Sequence, residues 1–252
     1  MEIVVLTLAS LFAGFVDSIV GGGGLILVPV LFSVLPGVAP ATLLGTNKSA
    51  SVWGTAAATA QFHYRVGLRW RTLLPAAVLA FLGSLMGAWA VTVVPGDFLR
   101  KLLPVILVVL LLYTLARKDM GKHHEPRFHG RAELAATAAI GFALGVYDGF
   151  FGPGTGSFFV FLFVRWLGYD FLNAAASAKL LNVMTNLGAL LLLGLKGHVL
   201  WRYGLVMAVA NVAGGVIGAR VAIRHGAGFV RTVFIFVVSA LILKTAYDAF
   251  LR

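Results

Sequence analysis

Apolar positions run almost without interruption from Ile3 to Leu35. Asp17 lies inside that run, and four consecutive glycines, Gly21 to Gly24, break it shortly afterwards. Long apolar stretches with brief polar breaks continue along the chain: 41–62, 72–94 and 99–116, then 134–167, 172–194, 204–223 and 229–250. About 20 apolar residues are enough for a helix to cross a bilayer. An open sheet would leave backbone groups unpaired in lipid, and the strict alternation of a membrane barrel is absent. The pattern predicts an all-α fold, a polytopic transmembrane helical bundle.

The pattern also repeats. Asp17 recurs as Asp148 (148 − 17 = 131), and Lys48 recurs as Lys179 at the same spacing. Trp70-Arg71 returns as Trp201-Arg202, Gly83 and Gly87 as Gly214 and Gly218, and Phe98 and Arg100 as Phe229 and Arg231. The register holds without a gap from Gly14 to Thr114, which matches Thr245. Apolar helices that resemble each other by chance would not keep an Asp, a Lys and a Trp-Arg pair in one register. The sequence therefore divides into a first transmembrane repeat (1–116), a basic linker (117–131) and a second transmembrane repeat (132–252). The linker, RKDMGKHHEPRFHGR, is the longest polar stretch, and the positive-inside rule places it in the cytoplasm.

Each repeat contains an interrupted segment (3–35; 134–167), a polar-bearing helix (41–62; 172–194) and two plain helices. If the interrupted segment crosses once, the halves are parallel. If it is two short spans, or a hairpin that returns to its own side, the count is odd and the halves are inverted. The loop 63–71, with Arg65, Arg69 and Arg71, also reads as cytoplasmic. An odd count then puts the N-terminus outside, which suits its lack of basic residues and favours inverted repeats.

Composition sharpens this picture. Of 252 residues, 60% are hydrophobic and 12% charged, against roughly 25% charged in soluble domains. The net charge of +11 is not a nucleic-acid signature, because no basic tract interleaved with aromatics lies outside the spans. It reads as Lys and Arg facing membrane lipid and cytoplasm. There is no cysteine, so disulfides and thiolate metal sites are excluded, and the six histidines lack metal-ligand spacing. Neither a metal nor another cofactor is expected. Glu2 is the sole charge before Asp17, so the basic start of a signal peptide is missing.

The glycine runs locate the candidate site. Four glycines in a row end a helix, since each costs about 1 kcal/mol against alanine. The freed backbone groups are tolerable only inside protein or a wet cavity. A short helix restarting at the break turns its N–H groups toward it, and such an end favours anions. The second repeat has Gly152-Pro153-Gly154-Thr155-Gly156 at the same place. Two such breaks related by a pseudo-symmetry axis suit a substrate site near the midplane. Glycines serving only close helix packing are spaced, as in Gly83-xxx-Gly87, not consecutive.

Asp17 and Asp148 end the helices before the breaks, and Lys48 and Lys179 lie about two turns into theirs. Each such charge costs about 2.5–3.5 kcal/mol at the bilayer centre on insertion scales. The simplest account is that an acid and a lysine meet in the core, either as ion pairs that fix helix register or as a transport site. In the second case the lysines attract an anion, and Asp17 and Asp148 are candidates for proton coupling. Candidate substrate contacts are Lys48, Lys179, Asn47 and Asn182, with Gly22, Gly23, Gly154 and Thr155 at the breaks. Thr46, Ser49 and Ser51 flank Lys48, while Asn186 and Asn211 are weaker candidates. Trp70 and Trp201 read as interfacial anchors.

GFVDSIVGGGGLILVP, GTNK, GVYDGFFGPGTGSFF and AKLLN resemble the TauE/SafE family of bacterial membrane permeases, also called the sulfite exporter family. The likeness runs from about residue 4 to 250 and is to the branch with D-S-I-x-G-G-G-G and T-N-K. It implies a multi-pass protein of the cytoplasmic membrane that moves small sulfur-containing anions such as sulfite or organosulfonates. The expected function is a secondary transporter for a small anion, not an enzyme. The alternatives are an intramembrane enzyme, for which no nucleophile–base pair or metal set is present, and a non-transporting structural membrane protein. No Walker A sequence is present. The sequence leaves homo-oligomer formation, the direction of transport and the coupling ion open.

Overall fold

The computed structural model describes residues 1–94 and 125–250, with side chains as far as Phe236 except at 227, 231, 234 and 235. The expected helix 99–116 and most of the linker lie outside the described residues. Among those described, the chain is helical and contains no strand. The elements are α1 (Glu2–Val20), α2 (Gly23–Val34), α3 (Pro40–Arg65), α4 (Trp70–Val93), α5 (Gly130–Phe150), α6 (Thr155–Leu162), α7 (Phe171–Leu195) and α8 (Trp201–Phe250). A π-helical turn, Phe163–Leu167, extends α6, and α8 is broken at Gly226 (φ 74°, ψ −169°). Four described segments are long and apolar enough to span a membrane: Glu2–Val20, Trp70–Val93, Phe171–Leu195 and Trp201–Gly226. The protein is an all-α polytopic membrane bundle.

Helix ends follow local chemistry. Pro40 begins α3, where a missing N–H costs nothing. The Asp170 carboxylate caps α7 by accepting from the Leu172 and Asn173 N–H groups, both at 2.8 Å. Gly21 ends α1 with a left-handed φ of 81°, its N–H on the Asp17 carbonyl at 2.7 Å.

Small residues let the helices approach closely, and the contacts fix their directions. Along α1 and α8, Ser10 donates to the Met207 carbonyl at 2.7 Å, Leu11 backs onto Gly214, and Phe15 backs onto Gly218. The numbers rise together, so the two helices are parallel. Along α4 and α5 the same holds: Gly83 backs onto Phe142, Gly87 onto Val146, and Gly145 onto Ala80. These contacts stand 131 residues from those of α1 with α8.

The α3 helix also runs with α8, since Ser49 meets Gly204 and Gln61 donates to the Val216 carbonyl at 3.3 Å. It runs against α7: Gly45 lies by Leu193 near the end of α7, whereas Ala58 and Phe62 share a core with Ala174 and Ala178 near its start. The α4 and α7 helices run together, with Ser84 on the Thr185 carbonyl and Lys196 on Thr92. Thus α1, α3 and α8 point one way, and α4, α5 and α7 the other.

Because α1 and α3 are parallel, the chain must return between them. That is the role of α2, whose Leu31 shares a core with Leu6 and Leu43. Twelve residues of helix cover only about 18 Å, so each interrupted segment is a full helix followed by a short return.

Basic side chains sort by end. Arg65, Arg69, Arg71, Arg127, Arg220 and Arg224 gather where α3 and α8 finish and α4 and α5 begin, while Lys196 and Arg202 stand at the other end. At the basic end, Arg69 pairs with Glu133 at 2.9 Å, and its guanidinium lies 5.2 Å from the Tyr169 ring centre. Tyr169 also donates to Glu133. Burial and that hydrogen bond raise the pKa of the Tyr169 hydroxyl, which keeps it a donor.

Candidate functional site

The two glycine breaks touch. The Ser157 N–H donates to the Gly21 carbonyl at 2.9 Å, and its hydroxyl to the Val20 carbonyl at 3.1 Å. Gly21 packs on the Gly156 backbone, and Gly24 packs on Pro153. A side chain at Gly21 or Gly156 would enter the opposite backbone. This requirement for glycine between the breaks adds to the need to end a helix.

A polar cavity lies beside this contact. Asp17, Asn47, Lys48, Asp148, Thr155 and Asn182 line it, together with Gly154 and the further residues Gly21, Gly24, Ser51, Gly152, Gly156 and Asn186. Its volume is about 20 Å³, and about 10–15 Å³ admits one water. Gly22 and Gly23 stand at the break without lining the cavity. Gly23 instead donates its N–H to the Asp17 carboxylate at 3.2 Å.

Four buried charges surround the breaks. Lys48 from α3 pairs with Asp148 from α5 at 2.6 Å, both side chains almost wholly buried. Asp17 accepts from Gly23 and lies 3.3 Å from the Thr55 hydroxyl, which also reaches the Ser51 carbonyl at 2.8 Å. Lys179 is fully buried and close enough to Asp17 to feel its charge, yet its ammonium has no hydrogen-bond partner among the described residues. It faces the interior, as its cost in lipid requires, but it does not line the cavity as Lys48 does. An acid and a lysine from opposite halves therefore meet in one case, and stand apart in the other.

Thr55 was not legible as an Asp17 partner, although its spacing offered a signal. Lys48, Ser51 and Thr55 recur every three or four residues, on one face of α3. Asn211 lies elsewhere and ties α8 to α1 through the Ser10 carbonyl at 3.0 Å. Trp70 and Trp201 begin α4 and α8 and are exposed, as interfacial anchors would be. No group of His, Cys, Asp and Glu that could hold a metal occurs among the described residues.

The chain is 36% identical over 244 residues to the probable membrane transporter protein ORF9 of Sinorhizobium sp, covering 96% of this chain and 92% of that one. It is 37% identical over 246 residues to the probable membrane transporter protein YfcA of Escherichia coli strain K12, covering 97% and 90%. A probable membrane transporter protein of Haemophilus influenzae is 34% identical over 253 residues, with 98% of each chain covered. No solved structure matches. The family model described as sulfite exporter TauE/SafE matches residues 6–245, which include both glycine breaks and all four buried charges. With a helical bundle built to cross a membrane, and relatives of nearly its full length named as membrane transporters, the chain belongs to the TauE/SafE family of membrane transporters.

Proposed function

We propose that the protein is a secondary transporter for a small oxyanion of sulfur, such as sulfite or an organosulfonate, in the bacterial cytoplasmic membrane. Its substrate passes between two inverted repeats. The opposed directions of α1 with α5, of α3 with α7 and of α4 with α8 support the inverted relation. The arginines gathered at one end support placing that end in the cytoplasm.

The observation that carries the reading is Lys179. An ammonium buried without a hydrogen-bond partner is expensive, and an arriving oxyanion would supply what it lacks. Lys48, Asn47 and Asn182 offer hydrogen-bond donors on the way, beside the breaks. With room for a single water, the cavity corresponds to an occluded state that must widen to admit substrate.

Charge balance links the anion to a proton. Lys48, Lys179, Asp17 and Asp148 cancel formally, so each negative charge brought in is offset when one carboxylate takes up a proton. Asp17 is the carboxylate that holds no lysine in this state.

Flux into proteoliposomes tests the reading. Sulfite or a small organosulfonate should move in preference to chloride, and a proton gradient should drive its accumulation. Lack of transport of every sulfur oxyanion tried, in either direction, by well-incorporated protein would refute it.

A further inference from the structure

A second cavity, of about 860 Å³, opens between the last turns of α3 and the middle of α8. Arg65, Arg220 and Arg224 stand around it with Gln61 and Tyr64, while Ala57, Val216 and Ile223 give it an apolar floor. None of the three arginines has a carboxylate partner among the described residues. All three are exposed.

The groove lies away from the central site. On α3, the cavity-lining Lys48 and Ser51 belong to a different face from Ala57, Gln61 and Tyr64. The groove instead adjoins exposed apolar side chains: Trp53 and Tyr64 along α3, and Val209 and Ile217 along α8. A soluble anion on a path to the central site would not need an apolar floor opening sideways into lipid.

The duplicated position in the other half is built differently. Leu192 and Lys196 stand where Gln61 and Arg65 do, and Trp89 and Val93 where Arg220 and Arg224 do. There Lys196 reaches Thr92 at 2.7 Å and ties the two helices together. The basic groove therefore belongs to one membrane face alone.

We propose that this groove binds the phosphate of an anionic phospholipid, with an acyl chain along its apolar floor. Guanidinium groups suit phosphate because they donate in a planar fork, and basic pockets between membrane helices on the cytoplasmic side hold acidic headgroups. The proposal rests on the membrane placement of the chain and not on which solute is carried, so it can fail while the transport reading stands.

Native mass spectrometry of the full-length protein tests it. Delipidated protein is titrated with phosphatidylglycerol and, separately, with phosphatidylcholine of the same acyl chains. The wild-type protein should retain phosphatidylglycerol at least tenfold more tightly, and a variant carrying Arg65→Gln, Arg220→Gln and Arg224→Gln should lose that preference. Arg224→Gln alone should lose part of it, which keeps the test readable should the triple variant express poorly. Equal retention of the two lipids by the wild type, or an unchanged preference in the variants, would overturn the proposal. So would complete displacement of phosphatidylglycerol by millimolar inorganic phosphate or sulfite, which would mark a site for a free oxyanion.

Discussion

Lys48 and Lys179 occupy the same place in their respective halves and end in opposite circumstances. Lys48 reaches across to Asp148 and closes an ion pair at 2.6 Å. Lys179 lies fully buried near Asp17, without a hydrogen-bond partner among the described residues. The difference begins with the acids. Asp17 has a neutral donor of its own in the Gly23 N–H, and the Thr55 hydroxyl lies 3.3 Å away, shared with the Ser51 carbonyl at 2.8 Å. In the second half, Gly154 stands in place of Gly23 and Asn186 in place of Thr55. Thr155 turns its hydroxyl to the Gly152 carbonyl at 2.8 Å, away from Asp148. The charges recur 131 residues apart, but the neutral residues around them do not.

The largest expected effect comes from opening the closed pair. Lys48→Ala should leave Asp148 buried without its counter-charge, a loss of about 3–5 kcal/mol for a buried pair stripped of one partner. Thermal unfolding in detergent should shift down strongly, and flux should vanish. Combining Lys48→Met with Asp148→Leu should restore most of the stability and none of the flux, because an apolar replacement of a buried pair is often neutral. Should Lys48→Ala unfold like the wild type, the pair is already open in solution, and the asymmetry between the halves does not hold there.

Much of this arrangement was legible in the sequence, for reasons that can be named. The breaks show themselves because consecutive glycines have no place inside a lipid-facing helix, and Asp17 and Asp148 mark their edges. The four charges stand out against apolar neighbours, and the spacing of 131 residues pairs them across the halves. Parity of crossings and the placement of basic loops favoured inverted halves. Contacts between helices distant in sequence, such as Leu11 with Gly214 and Phe142 with Gly83, supply the directions. The unequal pairing was not legible, because it depends on where the Thr55 hydroxyl and the Gly23 N–H fall relative to Asp17. The groove of Arg65, Arg220 and Arg224 was hidden for the same reason: its walls come from different halves.

Removing the open partner should have a different signature. Lys179→Met deletes an ammonium that has no hydrogen-bond partner among the described residues, and leaves the Gly23 N–H on Asp17. Thermal stability should hold or rise, while flux falls at least tenfold. Lys179→Arg should recover only part of the flux, since a planar guanidinium does not replace a compact ammonium. If Lys179→Met destabilises the protein as much as Lys48→Ala does, the two lysines are equivalent.

The smallest expected change in stability, and the most specific change in behaviour, belongs to Asp17→Asn. The amide keeps the size of the carboxylate; its oxygen can still accept from the Gly23 N–H, and its NH2 group replaces the oxygen beside Thr55, whose hydroxyl oxygen can accept from it. Folding should therefore change little. What disappears is a proton site beside the break, next to a lysine without a hydrogen-bond partner among the described residues. If Asp17 takes up the proton that balances an incoming anion, the variant should still bind the anion but lose the rise in accumulation produced by a proton gradient, and its flux should become nearly flat with pH. Asp148→Asn offers the internal control, because there the acid is engaged with Lys48, and the change should weaken the fold before it alters the pH profile. A wild-type pH profile in a well-folded Asp17→Asn protein would reduce Asp17 to a local cap on the glycine break and move the search for the proton site to Asp148.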